Sequence, residues 1–391
     1  MDRRPVFLTF ADYYLPGYKA GGPIRAISNL VNSFAGVFQF DIVTRDRDLG
    51  DDESYPRIAV DQWSRVGEAR VHYLSRRRLS VFGLLALIQD RAFDAIYLNS
   101  FFSSIAVRVL LLRRFGLIPS VPVILAPRGE FSPSALQFKG KRKRVYIALA
   151  RMADLCRNVT WQASSEHELR DIFRVWDTKS LPRVEITPEM LAEGRTAARP
   201  PRREKVEGYL EAAIILRISD KKNLDGALRL LFGVRGNMTL SIYGPIEDPD
   251  YWVECQKLIA MLPSNVKAVY HGALAHEQVH EVLASKDLFF FPTIGENFGH
   301  AIVEALEAGC PVLISDRTPW RDLAKHGLGW DIPLSDAPAY HAALETMIAM
   351  NNDEHSELSE NAVSYVAEIG RSPEIVDSNR YLFSSVVRRT A

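Results

Sequence analysis

The chain has 391 residues, 47% hydrophobic and 25% charged, with 48 basic and 48 acidic side chains that cancel to a net charge of zero. That is a soluble globular composition with chain enough for two domains, and no run of about 18 apolar residues is present to span a membrane. Three dispersed cysteines, Cys156, Cys255 and Cys310, show neither a disulfide framework nor metal-ligand spacing, which points to a reducing, cytoplasmic setting.

The basic start MDRRPVFLTFADYY has only a short apolar run and no cleavage-site pattern, so a first strand is expected there rather than a signal peptide. Strands are predicted at 6–10, 38–44, 69–74, 94–100, 122–127 and 158–164. Segments such as GGPIRAISNLVNSFAG and FFSSIAVRVLLLRRFG, with apolar residues at helical spacing, separate them. The second half repeats the rhythm, with strands at 212–219, 238–244, 266–272, 287–293 and 311–315. This alternation predicts βαβ units and parallel sheets, hence an α/β fold. The expected boundaries are a first domain at 1–187, a polar, proline-containing linker at 188–208, a second domain at 209–371 and a tail at 372–391. In the tail, Ser372-Pro373 is a helix start, and Ile375, Val376, Tyr381, Leu382, Val386 and Val387 need a surface to cover.

Charge is uneven along the chain. Residues 1–180 hold 27 Lys+Arg and 18 Asp+Glu, leaving 21 and 30 for the remainder. A basic first half suits an anionic partner, or is an incidental dipole. Two runs in it, SRRRLSVFGLLALI (75–88) and KGKRKRVYIALARM (139–152), place cations ahead of apolar helical residues. Such helices either lie on an anionic membrane surface or bury their apolar faces in the core. No nucleic-acid partner is expected.

The most informative stretch is TIGENFGHAIVEALEAGCPVLIS (293–315). The preceding DLFFFPT is apolar on consecutive residues, so it reads as a strand covered on both faces. The following loop therefore leaves the carboxyl end of a central strand, where open α/β sheets bind ligands. Gly295 and Gly299 let backbone approach a ligand. The amides of Asn297, Phe298 and Gly299 lie at a helix N-terminus, which favours an anion such as phosphate. Glu296 in the loop and Glu304 one turn into the helix can accept bonds from vicinal hydroxyls. The plainer reading is a capped helix with acids near its positive end.

The string ENFGHAIVEALEAGCPVLIS resembles the Glu-x7-Glu signature of the retaining glycosyltransferases of family 4, which have the GT-B fold. That likeness implies two facing Rossmann-like domains with parallel sheets, and a C-terminal helix crossing back to the first domain. It implies transfer of a sugar from a nucleoside diphosphate sugar, with anomeric configuration retained, to a glycan or lipid-linked acceptor hydroxyl, as in bacterial-type polysaccharide or glycolipid assembly. No cofactor is expected, and the histidines show no ligand spacing beyond His276 and His280, so no metal is expected either. A GT-B nucleotide-sugar epimerase and a noncatalytic nucleotide-sugar-binding subunit are the alternatives.

In ILRISDKKNLDGALRLL (215–231), Arg217 is read as ending a strand, Lys222 as sitting in the next loop and Asn223 as capping a helix. Two cations at such a turn suit a diphosphate whose leaving charge must be neutralised. The resemblance assigns that clamp to Arg217 and Lys222, with Lys221 able to replace Lys222 in the register. Gly21 and Gly22 precede a helix, as in a phosphate-approach loop or a plain flexible turn. The likeness turns them to the donor phosphates, with Arg25 either assisting or solvated. After another strand, Arg128 and Glu130 replace the histidine that many members present to the donor sugar, and one of the two is expected to meet donor or acceptor. Ser165-x-x-Glu168 reads as a capping box. RDRD (45–48) and EDPD (247–250) read as solvated loop acids, and His276 and His280 as an exposed pair one turn apart. RVEITPEMLAEGR stands where members often have Ile-Pro-Asn-Gly.

Overall fold

The structure is a computed structural model of the chain, and it describes residues 3–137, 140–176, 183–191 and 202–388. The chain forms two compact units, Met1–Glu193 with Ser372–Ala391, and Gly194–Arg371.

The first unit is built on eight strands: β1 (Val6–Phe10), β2 (Gln39–Arg45), β3 (Trp63–Val66), β4 (Ala69–Leu74), β5 (Ala95–Asn99), β6 (Val123–Ala126), β7 (Val159–Ala163) and β8 (Arg183–Ile186). Their order in the sheet is β3-β4-β2-β1-β5-β6-β7-β8. All pairs are parallel except β3 with β4. Alternate residues of the central strands feed two separate cores. Phe7, Phe40, Val71 and Tyr97 enter one core, with Ile27 and Leu30 of the helix Gly22–Ser33 and with Leu382, Phe383 and Val386 of the helix Pro373–Val387. Leu8, Val43, Ile96 and Leu125 enter the other, under the helices Val81–Gln89, Ser104–Arg114, Gly140–Met152 and Glu166–Val175. A strand apolar at every position is what such a sheet, covered on both faces, demands. The tail helix thus completes the first unit, with Ser372 and Pro373 at its start as expected.

The second unit carries β9 (Tyr209–Ile215), β10 (Asn237–Tyr243), β11 (Val266–Tyr270), β12 (Leu288–Phe291), β13 (Val312–Ser315) and β14 (Gly329–Ile332). The order is β11-β10-β9-β12-β13-β14, parallel throughout. Numbered within the unit this is 3-2-1-4-5-6, the doubly wound Rossmann order. The direction of winding reverses between β9 and β12.

Three expectations change. The strand predicted at 212–219 begins at Tyr209 and ends at Ile215, so Arg217 lies in the loop beyond it. The polar stretch 188–208 is packed at both of its described ends. Met190 enters the first unit's core, and Asn379 Nδ2 donates to the Pro188 carbonyl at 2.9 Å. Lys205 is buried, with its amide on Asn352 Oδ1 at 3.0 Å; residues 192–201 lie outside the described ones. The acids of RDRD are also not solvated. Asp46 is buried beside Arg47, with Nε at 2.8 Å, and Asp48 accepts the amides of Tyr18 and Lys19 at 2.8 and 3.0 Å. Asp48 thereby braces the loop that leads to Gly21.

Candidate functional site

In the second unit, β9 and β12 lie side by side with Ala212 opposite Leu288, and their carboxyl ends mark the switch point. After β9 the chain passes Arg217, makes a tight turn at Asp220–Lys222 and enters the helix Leu224–Leu231 through Asn223 in the left-handed region. After β12 it makes the loop holding Glu296 and enters the helix His300–Glu307. Side chains stitch the loops together. Asn223 makes no side-chain cap; its Nδ2 crosses to the Pro292 carbonyl at 2.7 Å. Lys222 Nζ forms an ion pair with Glu296 Oε1 and sits 5.9 Å from the centre of the Phe291 ring. The loop after β13 closes the far side. Ser315 Oγ donates to the Thr293 carbonyl at 2.5 Å, Arg317 O accepts the Glu296 amide at 3.0 Å, and Trp320 Nε1 donates to the Phe298 carbonyl at 2.6 Å.

The pairing selects Lys222 over Lys221 as the lysine facing the glutamate loop. Its side chain is 22% exposed and that of Glu296 16%, so salt screens the pair less than it would a surface pair. Arg217 is placed otherwise: its Nη1 pairs with Glu247 Oε2 at 3.1 Å, both side chains more than a third exposed. Glu247, expected to be a solvated loop acid, is that partner, and Asp248 caps the helix Pro249–Ala260. Gly299 has φ 84°, and a Cβ there would meet Ile302 Cδ1 at 2.9 Å, so glycine is the residue that fits this turn without strain. Asn297 and Phe298 are half-buried beside it, and Phe298 meets Trp320 edge-on at 6.0 Å between ring centres. Glu304 is half-buried on a helix whose Ile302, Val303, Ala305 and Leu306 are buried.

In the first unit the corresponding reversal lies between β1 and β5. Gly21 has φ 72° with open space where a Cβ would sit, and Gly22 begins the helix Gly22–Ser33. Arg128 is held internally. Its Nη1 pairs with Glu189 Oε1 at 2.8 Å, and its Nη2 donates to Tyr97 Oη at 2.7 Å and Asn99 Oδ1 at 2.9 Å. Glu130 is engaged as well, accepting from Ser100 Oγ at 2.6 Å and from the amides of Phe101 and Phe102 at 2.6 and 3.2 Å. Both side chains are thus engaged within the first unit. Ser100 and Arg128 have φ of 95° and 55°, a strained backbone around these two side chains. Glu168 is no closed capping box. Ser165 Oγ accepts the Glu168 amide, but the Glu168 carboxylate takes the Gly129 amide at 2.5 Å and the Ser164 amide at 2.8 Å. Glu168, Glu189 and Asp48 act across 39, 61 and 30 residues of sequence, so no local pattern announces them.

Burial pushes the Glu130 carboxyl from 4.5 up to about 7, against the hydrogen bonds that favour its anion. A folded-state pKa raised above the unfolded one contributes stability that is full below the unfolded value and lost as pH rises through the folded one. Folding stability of the parent should therefore fall by a few kcal/mol between roughly pH 4.5 and 7 from this residue. Glu130→Gln keeps an oxygen for the two amides and removes that slope. Urea titrations across this range check it; parallel pH profiles would show that Glu130 does not titrate as stated.

A lysine–glutamate pair and a helix N-terminus thus stand together at the switch point of a doubly wound sheet, where open α/β folds bind ligands. Residues 198–365 match the family described as glycosyl transferases group 1. A sulfoquinovosyl transferase of Arabidopsis thaliana is 25% identical over 166 residues, covering 37% of this chain and 32% of that protein. The chain thus spans about a third of the length of that curated relative. Among solved structures, sucrose-phosphate synthase from Thermosynechococcus elongatus superposes with a TM-score of 0.71 at 16% identity, over 99% of this chain and 100% of that one. Anabaena HepE, solved with UDP and glucose, gives 0.69 at 14% identity over 98% and 99%. The fold is GT-B, and the match to the group 1 glycosyl transferases falls in the second unit. Among the described residues no helix is long and apolar enough to cross a membrane.

Proposed function

We propose that the chain is a retaining glycosyltransferase of family 4 type. It moves a sugar from a nucleoside diphosphate sugar to a hydroxyl of a glycan or lipid-linked acceptor in the cytoplasm, without metal or cofactor. The observation that carries this reading is the Lys222–Glu296 pair at the β9–β12 switch point, beside the N-terminus of His300–Glu307. Lys222 and Arg217 offset the charge that grows on the departing diphosphate, and the helix N-terminus adds a fixed positive end. Glu296 and Glu304 accept from sugar hydroxyls. The sugar–phosphate bond breaks as the glycosidic bond forms, and the acceptor proton passes to an oxygen of the leaving diphosphate, so no separate base is required. In the first unit Gly21 and Gly22 form a phosphate-approach loop, and Arg128 and Glu130 shape the loops at the sheet.

Incubation with a panel of labelled nucleotide sugars tests the reading. Free nucleoside diphosphate together with a glycosylated acceptor supports it. An isomerised sugar nucleotide would make the chain an epimerase, and unchanged ligand a binding subunit. Within the same panel, Glu304→Ala should weaken donor binding by about tenfold or more, the loss of a charged acceptor worth roughly 1.5–3 kcal/mol. Calorimetric titration with UDP- and GDP-sugars measures it, and unchanged affinity for all of them removes Glu304 from the site.

A further inference from the structure

The sheet face carrying Leu8, Val43, Ile96 and Leu125 is covered by helices, and one of them carries a second apolar stripe that faces outward. Gly140–Met152 buries only Ile147 and Ala150. Val145, Leu149 and Met152 are 59%, 51% and 79% exposed. Their spacing of four and three places them on one stripe of the helix. Lys141, Arg142, Arg144 and Arg151 are exposed on the same helix, which contains no acid. From 141 to 157 there are six Lys or Arg and one acid, Asp154. The neighbouring helix Ser104–Arg114 ends alongside: Arg114 Nε donates to the Ala153 carbonyl and Arg113 Nη1 to the Arg157 carbonyl, each at 2.7 Å. That contact brings the exposed Phe115 and Leu117 to the same end of the helix layer.

We infer that this face docks on an anionic lipid bilayer, with Val145, Leu149 and Met152 entering the interface and the bordering cations meeting lipid phosphate. An apolar stripe flanked by Lys and Arg is the pattern of a helix lying in the interfacial plane. A second copy of the chain is a poor occupant, because a two-fold contact would bring together two basic helices with no acid between them. A soluble polyanion would use the cations and leave the stripe in water. The other basic run is a weaker anchor. Val81–Gln89 buries Leu84, Leu87 and Ile88, Arg76 pairs with Asp52 at 2.8 Å, and Arg78 stands 3.9 Å from Asp61. Lys143 also turns inward, donating to the Ala135 carbonyl at 2.7 Å.

Flotation of the full chain with vesicles tests this without any transfer reaction, so the outcome is separate from that of the proposed activity. The parent should float with phosphatidylcholine–phosphatidylglycerol vesicles at low salt, and not with phosphatidylcholine alone or at high salt. Val145→Ser/Leu149→Ser/Met152→Ser and Lys141→Gln/Arg142→Gln/Arg144→Gln should each bind anionic vesicles about tenfold or more weakly. Both sets lie at exposed positions, and unchanged thermal unfolding verifies the fold. A parent that stays in solution with anionic vesicles at low salt overturns the inference, as do variants that float like the parent. A parent dimer that the serine variant dissociates would assign the stripe to a second copy instead.

Discussion

Lys222→Ala should lower kcat about a hundredfold or more while leaving the affinity for a bare nucleoside nearly unchanged. A preorganised cation at a developing anion contributes roughly 10²–10³ in rate when its geometry is fixed. Lys222 has that fixed geometry: Glu296 pairs with its ammonium, the Phe291 ring lies beneath it, and Asn223 pins the next residue to the Pro292 carbonyl. Its removal also leaves Glu296 without its ion-pair partner where the proposed diphosphate arrives, so repulsion adds to the lost attraction. Arg217→Ala should cost less and respond more to salt, because Arg217 is over a third exposed and already paired with Glu247. Lys221→Ala should stay within about threefold, a difference under 1 kcal/mol. Steady-state kinetics of the three variants with one donor separates these outcomes. Full turnover in Lys222→Ala, or a larger loss in Lys221→Ala, would place the clamp elsewhere.

The sequence announces some of this site and hides the rest for physical reasons. Buried parallel strands such as Leu288–Phe291 are apolar on consecutive residues, so the doubly wound sheets are legible from pattern alone. The turn glycine Gly299 is legible because its left-handed backbone favours glycine. The edge strands β3 and β8 escape, since WSRV and RVEI are half-exposed and carry polar residues. β14 escapes because GWDI is four residues long with two of them half-buried. Ion-pair partners escape for a different reason. Lys222 and Glu296 are 74 residues apart, and Arg217 has three nearby acids in EDPD to choose from. Only the sheet order, which sets β9 beside β12 and β10 on β9's other flank, decides those pairings. Asp46 and Asp48 misled for a related reason. Short acidic runs in loops are usually solvated, and what buries Asp48 is the loop after β1, 29 and 30 residues earlier in the chain.

Phe383→Ala should destabilise the first unit by about 3–5 kcal/mol, the cost of emptying a fully buried aromatic site. Phe383 is 0% exposed, with its ring centre 5.0 Å from Phe7, 5.3 Å from Tyr97 and 5.7 Å from Phe40, all three meeting it edge-on. Those three residues stand on β1, β5 and β2, the middle of the sheet, so the tail helix covers the centre of that core rather than its margin. The loss should therefore appear in hydrogen exchange of Val6–Phe10 and Gln39–Arg45, while Leu288–Phe291 in the second unit keeps its protection. Tyr381→Ala is the control. Its ring is 59% exposed, and a surface change of this kind is expected to stay within about 0.5 kcal/mol. Protection of β1 unchanged by Phe383→Ala would mean the helix is held by Asn379 on the Pro188 carbonyl and Arg183 on Ser385 rather than by this ring. The expected result has a further consequence for how the chain folds. The residues that close the first core come after the whole second unit in sequence, so Phe7, Phe40 and Tyr97 are fully covered on that face only once the helix Pro373–Val387 has been made.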